Sequence, residues 1–584
     1  MKKELSLNNN QRGIRFSNPL KAMKPTIKSL FCSFAILLFL AGNSGLQRLY
    51  AQGINEQVTV VAAYEPSIPD ANKLSINPSA DETEVKLPEM TYSIKSQQME
   101  TTLTPDIITP VKLVGEPQKK LYRNYARLGF GNYTTPYAEF FANSLRSKSY
   151  AFGVHLKHLS SSGKIEDYPK SSNSLNLVQI SAQKFTDNHT ISSGVGYRRN
   201  VVHHYGFKPS DYSFPVNEDD LKQKFNRINA NVGIKSNYTD ADQLNHQIGL
   251  SFSNIADHFD TRESLISIRA NADKRFELFD LTDYQSLGIE TDLDFTGYKD
   301  STLKQKSALL SFRPFISTEF NEYKLKFGIN LSFQADSISK AYLFPFAEAQ
   351  VRAMNDDVVI TAGITGNLSR QGFDKLSDIN PFVQSILPLQ YSRERFAFYA
   401  GARARAGNHI NLLASFRSSS VADEAFFVND ELQPTFNRFT VVYEEGNVLK
   451  GRFEAEYQSA ERIKIKAFAG FEKWSLKSNS KPWHRPSSQF GVEAYYNIQN
   501  KIIAKAGITA NGKQFARIPS DSENVYTEES IKGYADLNLG LEYRYTKLLS
   551  GFINFSNLTG ARYFNWYNYP GYRFMLMGGV SYSF

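Results

Sequence analysis

The stretch YADLNLGLEYRY, residues 534–545, alternates apolar and polar side chains almost without interruption. One face carries Ala535, Leu537, Leu539, Leu541, Tyr543 and Tyr545, and the other carries Asp536, Asn538, Gly540, Glu542 and Arg544. A period of two residues is typical of a β-strand with two different faces. A face with these charges cannot be a protein core unless each charge finds a partner, but it can line a water-filled lumen. The pattern therefore predicts a strand with one apolar and one wet face.

The same alternation recurs in several other segments, of which four are Phe152–Lys157, Phe396–Gly407, Arg452–Tyr457 and Ile463–Phe471. Their polar faces supply the charges that we assign to the lumen, namely Arg403, Arg405, Glu454, Glu456, Lys464 and Lys466. The basic groups could favour anionic groups on a solute, or they could pair with the acidic ones. Pairing is the simpler interpretation, and we favour it.

The length and number of these segments distinguish a membrane barrel from a soluble sheet protein. Many run to ten or more residues, and a tilted strand needs about 9 to 11 residues to cross hydrocarbon. They recur without helical interruption over residues 121–584, which is too long for one ordinary sandwich. A soluble antiparallel sandwich or propeller, whose strands also alternate, is the alternative. We predict an all-β fold, a transmembrane antiparallel β-barrel.

The connections between segments tend to alternate between short and long. Gln499–Lys501 and Thr546–Leu549 are short, whereas Lys477–Ser488, Lys513–Gly533 and Gly560–Gly571 are long. Short periplasmic turns and longer external loops are typical of transmembrane barrels, which in bacteria prefer an even strand number. We predict about 22 strands, within a range of about 16 to 24. The stretch Val421–Asn447 breaks this alternation, so we expect one misassigned strand there.

Residues 1–51 have the features of a secretory signal peptide. Basic residues precede the apolar run Leu30–Gly42, and Ala51 before Gln52 provides the small residue of a cleavage site. The run is shorter than the roughly 20 apolar residues that span a bilayer comfortably, although an uncleaved anchor is the alternative. Cys32, the only cysteine, falls in this segment, so the mature chain is expected to have no disulfide or thiol chemistry.

Composition and charge agree with this reading. Aromatic residues make up 13% of the chain while the mean hydropathy is −0.40, so apolar groups must be interleaved with polar ones. The predicted leader holds 8 of the 67 Lys and Arg residues but only one of the 58 Asp and Glu residues. The mature chain is therefore nearly neutral, and the sequence pI of 9.1 gives no reason to expect a nucleic-acid partner.

Residues 52–120 differ from the rest in being poor in aromatic residues and rich in proline. The prolines are Pro66, Pro69, Pro78, Pro88, Pro105, Pro110 and Pro117. Proline at this density excludes long helices and central strands. We predict an extended periplasmic or lumenal N-terminal segment over 52–120 and the barrel over 121–584.

The C-terminal sequence FINFSNLTGARYFNWYNYPGYRFMLMGGVSYSF, residues 552–584, carries a family resemblance. It resembles the final two strands of TonB-dependent outer-membrane receptors. Its end places Leu576, Val580, Tyr582 and Phe584 at alternate positions, similar to the terminal signal that the outer-membrane barrel-assembly machinery reads. The resemblance implies an outer-membrane location, with membrane lipid and the assembly machinery as partners.

A second resemblance lies near the predicted mature N-terminus. The stretch Glu56–Val61, with Val58, Thr59, Val60 and Val61, resembles the TonB box of such receptors and implies TonB or another periplasmic protein as partner. An extended β-branched stretch suits strand addition to a partner, although a local strand or plain extended chain is the alternative. Ala62–Lys120 is shorter than the plug domain of that family and lacks its glycine-rich motifs. The chain thus resembles plugless receptor-like barrels of the Bacteroidetes type.

The sequence contains no phosphate-binding glycine loop, nucleophile elbow or zinc motif, so we predict neither an enzyme nor a cofactor. The first functional hypothesis is a receptor or transport barrel for a solute or ligand. The alternative is a structural or assembly barrel that anchors a periplasmic or surface complex. An open 22-stranded pore would leak, so a partner, residues 52–120 or inward loops must fill it.

Overall fold

The computed structural model describes residues 121–238, 242–276, 284–478, 480–519 and 526–584. The predicted leader, with Ala51 and Gln52, and the TonB-box-like stretch Val58–Val61 lie outside these residues. The elements in chain order are β1 Asn124–Gly131, β2 Thr135–Asn143, β3 Tyr150–Ser161, β4 Asn173–Phe185, β5 His189–His203, β6 Lys222–Ser236, β7 Asn245–Ala256, β8 Arg262–Phe276, β9 Tyr284–Lys299, β10 Lys304–Phe320, β11 Tyr323–Ala335, β12 Lys340–Ala353, β13 Val358–Gln371, α1 Phe373–Ile379, β14 Gln390–Ala406, β15 Ile410–Asn429, β16 Phe439–Ser459, β17 Ile463–Leu476, β18 Ser488–Ile498, β19 Ile502–Asn511, β20 Gln514–Pro519, β21 Tyr526–Ile531, β22 Tyr534–Arg544, β23 Leu549–Ser556, β24 Phe564–Trp566, β25 Tyr569–Pro570 and β26 Met575–Ser583. Two single 3-10 turns, Pro209–Asp211 and Glu218–Leu221, lie between β5 and β6.

Twenty-two of these strands form one closed antiparallel sheet, made of β1–β19, β22, β23 and β26. Each strand pairs with its neighbour along the chain, and β26 closes the ring by pairing with β1, where Val580 lies opposite Leu128. The predicted fold class and strand number are therefore confirmed. The hairpins β20–β21 and β24–β25 lie within long connections and are not part of the barrel wall.

The outer face of the wall is apolar, as the alternation predicts. Val178 and Ile180 of β4 lie opposite Tyr197 and Val195 of β5, and all four side chains are exposed on the same side. Such rows continue around the ring and form a belt suited to lipid. Because the sheet is closed, its strands leave no continuous backbone edge for hydrocarbon to contact, with one local exception described below.

The connections are short at the end that carries Asn124 and Phe584 and mostly long at the other end. Two to eight residues join strands at the first end, whereas six connections at the second end contain 11 or more residues, such as 204–221 and 512–533. By the usual asymmetry of transmembrane barrels, the long connections face the cell exterior. We call this end the outer mouth.

The irregular stretch Val421–Asn447 proves to be the tip of one long hairpin. β15 has 20 residues and β16 has 21, and beyond Ala422 and Gly446 the two strands pair only with each other. A register shift between Val421 and Glu424 marks the point where the hairpin leaves the wall. The extra segments therefore belong to strands already counted, which explains the broken alternation of short and long connections.

One short helix, α1, interrupts the strand pattern between β13 and β14, so the expectation of no helical interruption is wrong at this place. Among the described residues, no helix is long and apolar enough to span a membrane.

The two faces of β22 give a direct test of the wall. We expect Leu539→Arg, on the exposed outer face, to cost about 2 to 4 kcal/mol of barrel stability, because the charge meets hydrocarbon. Asn538→Arg should cost little, since Asn538 faces the lumen and loses only a 3.3 Å hydrogen bond from the Asn557 N–H. Urea unfolding in lipid vesicles measures both, and equal costs would contradict the assigned faces.

Candidate functional site

The predicted lumen charges on β14 lie near the end with short connections. Arg403 and Arg405 share the face opposite Phe396, which is exposed on the outside. The Arg405 Nε lies 2.9 Å from the Asp357 Oδ1, in the turn between β12 and β13. Arg405 is thus held by a neighbouring turn.

The remaining predicted charges lie on β16 and β17. Glu456 accepts from Lys464 across 2.8 Å and lies 3.9 Å from the Lys466 Nζ, while Glu454 accepts from Arg452 on the same strand. Each of these basic groups has an acidic neighbour on the wall. This arrangement favours local charge pairing over an anion-binding lumen.

The predicted C-terminal signal lies on the outer face of β26 and at the residue that follows it. Leu576, Val580, Tyr582 and Phe584 are all exposed, whereas Met577 is buried against Tyr137 and Phe552 inside the barrel. The alternating apolar face is thus present as expected, and its recognition by the assembly machinery stays a prediction.

The connection between β13 and β14, residues 372–389, folds into the lumen, and we call it the inward loop. It contains α1 and continues through an apolar stretch with Phe382, Val383 and Leu387. Phe373, Leu376 and Val383 are fully buried. A solvated external loop would not bury such side chains, so this loop must be packed against the barrel.

On one side, ion pairs and hydrogen bonds connect the inward loop to β5, β6 and β8. The Arg227 Nε donates to Asp374 across 2.6 Å, and the same guanidinium donates to the Ser377 hydroxyl across 2.8 Å. Arg198 of β5 forms an ion pair with Asp378. These two arginines project from the lumen faces of their strands, so α1 lies within the ring of strands.

The start of α1 is held by a carboxylate from β8. Glu263 accepts the Phe373 N–H across 2.7 Å and receives two hydrogen bonds from Arg370, at 2.8 and 2.9 Å. Negative charge near a helix N-terminus is stabilising. Glu263 is buried, and removing its charge from water costs free energy. The ion pair with Arg370 offsets this desolvation cost.

On the other side, the inward loop is connected to the long hairpin of β15 and β16. The Gln384 N–H donates to the Phe439 carbonyl across 2.9 Å, and the Phe439 N–H donates to the Phe382 carbonyl across 3.1 Å. The Tyr443 hydroxyl donates to the Pro388 carbonyl. Phe439 and Tyr443 belong to the part of the hairpin that extends past the wall. The inward loop therefore lies over the outer mouth, between the wall of β5, β6 and β8 and the tip of this hairpin.

Tyr569, in the connection between β23 and β26, packs on the inward loop and holds it in place. Its ring stacks on Phe382 with centroids 3.8 Å apart, and its hydroxyl donates to the Asn437 carbonyl. A Cβ on Gly206 would approach the Tyr569 ring to 2.2 Å, so only glycine permits this close contact. Three connections thus meet over the inward loop.

The result is a continuous apolar core at the outer mouth, which we call the cap. Its buried members come from β5, β6, β7 and β9 of the wall, from the tip of the β15–β16 hairpin and from the connections, namely Val202, Phe225, Ile255, Tyr298, Phe373, Leu376, Val383, Leu387, Ala425, Phe427, Phe439, Val441 and Tyr569. The wall residues lie on lumen faces. The sequence left open whether a partner, residues 52–120 or inward loops fill the pore. In the described residues, inward loops occupy the outer mouth.

A buried histidine sits in the cap. The His484 ring packs between Phe439 and Trp566, and its Nδ1 donates to the Phe427 carbonyl across 2.9 Å. Burial lowers the pKa of His484 to about 4, although the Phe427 hydrogen bond acts in the opposite direction. His204 is also fully buried, with neither ring nitrogen hydrogen-bonded, and burial lowers its pKa well below the usual value.

These histidines predict that the cap loosens in acid. The unfolded state binds a proton below about pH 6.5, while folded His484 stays neutral down to about pH 4, so stability is lost as the pH falls through this window. The pKa difference corresponds to about 3 kcal/mol. After division by the intrinsic rate at each pH, hydrogen exchange of residues 373–389 should therefore accelerate between pH 6.5 and 4.

The matched variant is His484→Asn, whose amide can keep the hydrogen bond to Phe427 but does not titrate. It should weaken this pH dependence and leave the part due to His204. Unchanged acceleration in His484→Asn would contradict a role for His484.

Within the described ranges, no group of three or more His, Cys, Asp or Glu side chains is arranged to hold a metal ion.

No protein-family model matches the chain, and no curated protein matches its sequence. Solved structures share its fold. The ferripyoverdine receptor of the outer membrane of Pseudomonas aeruginosa has a TM-score of 0.60 at 12% identity, covering 80% of this chain and 72% of that one. The ferric-catecholate import receptor Fiu from K12 E. coli has a TM-score of 0.57 at 12% identity, with 80% and 82% covered. The FrpB iron transporter from Neisseria meningitidis has a TM-score of 0.59 at 11% identity, with 80% and 82% covered.

These neighbours are TonB-dependent receptors with 22-stranded barrels. The fold of this chain is therefore that of an outer-membrane receptor barrel. Its closed sheet and apolar outer belt agree with a location in the outer membrane.

Proposed function

We propose that this chain is an outer-membrane receptor for the transport of a solute or ligand, and that the inward loop is its gate. The observation that carries this proposal is the crossing of the outer mouth by the inward loop, with ion pairs to β5 and β6 on one side and hydrogen bonds to β16 on the other. A passive porin keeps an aqueous channel, whereas a gated receptor needs a closure that can move.

The ion pairs hold the inward loop to the wall through carboxylates that a ligand can reach. Asp378 is part-exposed, and Asp374 even more so, whereas the Arg227 side chain is 8% exposed. A ligand that takes over these contacts could release α1 from the wall without unfolding a strand. We therefore place ligand recognition at the outer mouth and regard the paired charges at the other end as structural.

Coupling to TonB through residues 58–61 is part of the proposal. The chain resembles plugless receptors, with cleavage between Ala51 and Gln52 and with residues 52–120 in the periplasm or the lumen. The fold likeness to TonB-dependent receptors supports this reading at the level of the barrel. The same likeness to transport receptors favours a non-enzymatic role.

Site-specific photocrosslinking in cells tests the coupling. A photoreactive residue at Val60 should form an adduct with TonB, and one at Lys86, in the same segment, should not. Thr59→Pro should abolish the adduct at residue 60, because strand addition needs the backbone N–H that proline lacks. No TonB adduct at residue 60 would contradict the energised part of the proposal.

The alternative function is a structural or assembly barrel that anchors a complex. The extended hairpin of β15 and β16 favours it, because the hairpin continues past the wall at the outer mouth and buried residues on both of its faces fix it there. Copurification at fixed stoichiometry with one protein, unaffected by Thr59→Pro, would favour this alternative.

A further inference from the structure

The barrel wall has one incomplete seam, between β12 and β13. Only Ala347–Ala353 of β12 pairs with β13, where the partners are Val358–Ile364. Lys340–Phe346 pairs with β11 on its other side, and no strand among the described residues pairs with its free edge. The remaining half of β13 pairs with β14 alone. We call this gap between the two half-strands the seam.

The upper half of β13 lies inside the barrel, behind the wall. Asn330, on the lumen side of β11, donates its Nδ2 hydrogen to the Gly366 carbonyl across 3.1 Å. Leu368 is 4% exposed and packs with Leu309 and Phe344, which project inward from β10 and β12. The wall therefore overlaps itself, and the register shift between Thr365 and Asn367 marks where β13 turns inward.

The seam lies at the level of the lipid belt. On the outer face, Leu343 of β12 is 62% exposed and lies opposite Leu331 of β11, and Ala341 lies opposite Phe333, which is 46% exposed. Pro345 stands in the unpaired half of β12, as expected for a residue that suits an edge because it has no N–H to donate. Acyl chains of the outer leaflet thus border the free edge of β12.

Behind the seam lies a small apolar cluster on the lumen side, bordered on β9 by Asp294, which lies opposite Leu309. The buried cluster of Leu309, Phe344 and Leu368 is flanked by Tyr342 and Tyr391. Arg393 lies beside it, with its guanidinium carbon 5.2 Å from the centroid of the Tyr342 ring, and its buried Nε has no hydrogen-bond partner. An apolar surface that ends at a cation matches an acyl chain with an anionic head.

We propose that the seam is a lateral binding site for an anionic single-chain amphiphile that enters from the outer leaflet. The acyl chain enters at the free edge of β12 and lies against the side chains of Phe344 and Leu368. Arg393 binds the anionic head. This site is separate from the gate and does not depend on coupling to TonB.

Quenching by lipid-borne nitroxides tests the path. In Cys32→Ser protein in phosphatidylcholine vesicles, a bimane on Leu368→Cys should be quenched by mid-chain nitroxide lipid nearly as strongly as one on Leu343→Cys, which is exposed to lipid. The matched control is Met577→Cys, because Met577 is also buried on the lumen side, behind fully paired strands. Equal, weak quenching at 368 and 577 would overturn the proposal.

Tyr391→Cys serves as a second reporter in case Leu368→Cys does not fold. The head is tested with a spin-labelled fatty acid added to the same vesicles. Arg393→Gln should weaken its quenching of the Leu368 reporter about tenfold in apparent affinity, as expected for the loss of a charged hydrogen bond. Arg403→Gln, on the same protein but near the periplasmic end, should leave the affinity unchanged. Equal effects of the two substitutions, or equal affinity for an uncharged analogue, would refute the anionic head.

Discussion

Replacing residues 373–388 by a short glycine-serine linker should turn a closed barrel into a conducting one. The replacement removes α1 and the segment that joins the wall of β5, β6 and β8 to the tip of the β15–β16 hairpin, while β13 and β14 keep their pairing with each other. A 22-stranded ring without a filler encloses a wide lumen. We expect the conductance in planar bilayers to rise at least about tenfold over that of the intact protein.

Deletion of residues 52–120 separates the two candidate fillers. If the inward loop is the closure, this deletion leaves the channel shut and the loop replacement opens it. If the N-terminal segment is the closure, the outcomes are reversed, and the proposed gate is wrong. The two changes combined show whether each filler blocks part of the passage.

Point substitutions test the same closure without removing chain. Asp374→Asn together with Asp378→Asn leaves Arg227 and Arg198 without the carboxylates that they contact. Losing a hydrogen bond to a charged group costs about 1.5 to 3 kcal/mol, and less where the carboxylate is part-exposed as here, so brief openings should become more frequent. Asp260→Asn is the control, because its ion pair with Arg262 is fully exposed. Openings of equal frequency in the control would exclude a specific gate.

The strands and their number could be predicted because each strand carries its own alternation of apolar and polar residues, as residues 534–545 show. The hairpin of β15 and β16 was harder, because both faces of its tip are buried and the alternation is lost in AFFVN, residues 425–429. Burial on two faces removes the contrast on which a period of two depends. One strand then reads as two.

The gate and the seam could not be predicted for a different reason. Whether a loop folds outward or inward depends on partners such as Arg198 and Arg227, which lie far away along the chain. The apolar composition of residues 372–389 was the available signal, since external loops seldom bury phenylalanine or leucine. At the seam, Pro345 and Gly366 are compatible with a free edge and a bend, but neither residue indicates which neighbour is missing.

Deletion of residues 573–584 should abolish formation of the barrel. β26 pairs with β23 through Met575–Tyr582 and with β1 through Met577–Ser583, as in Ile553 opposite Gly578 and Leu128 opposite Val580. Without it, two strand edges face lipid, and each unsatisfied backbone group there costs several kcal/mol. The loss of Met577 also opens the buried cluster of Tyr137 and Phe552.

A second variant separates strand pairing from recognition of the terminal signal. Serine at positions 576, 580, 582 and 584 keeps every backbone hydrogen bond but removes the apolar outer face. If the assembly machinery reads that face, this variant should still refold in detergent micelles and yet be depleted from the outer membrane of cells. The truncated chain should fail in both settings, because no detergent replaces a missing strand. Heat-modifiable migration of the truncated protein in a denaturing gel would show that the ring closes without β26, and the assigned closure between β1 and β26 would then be wrong.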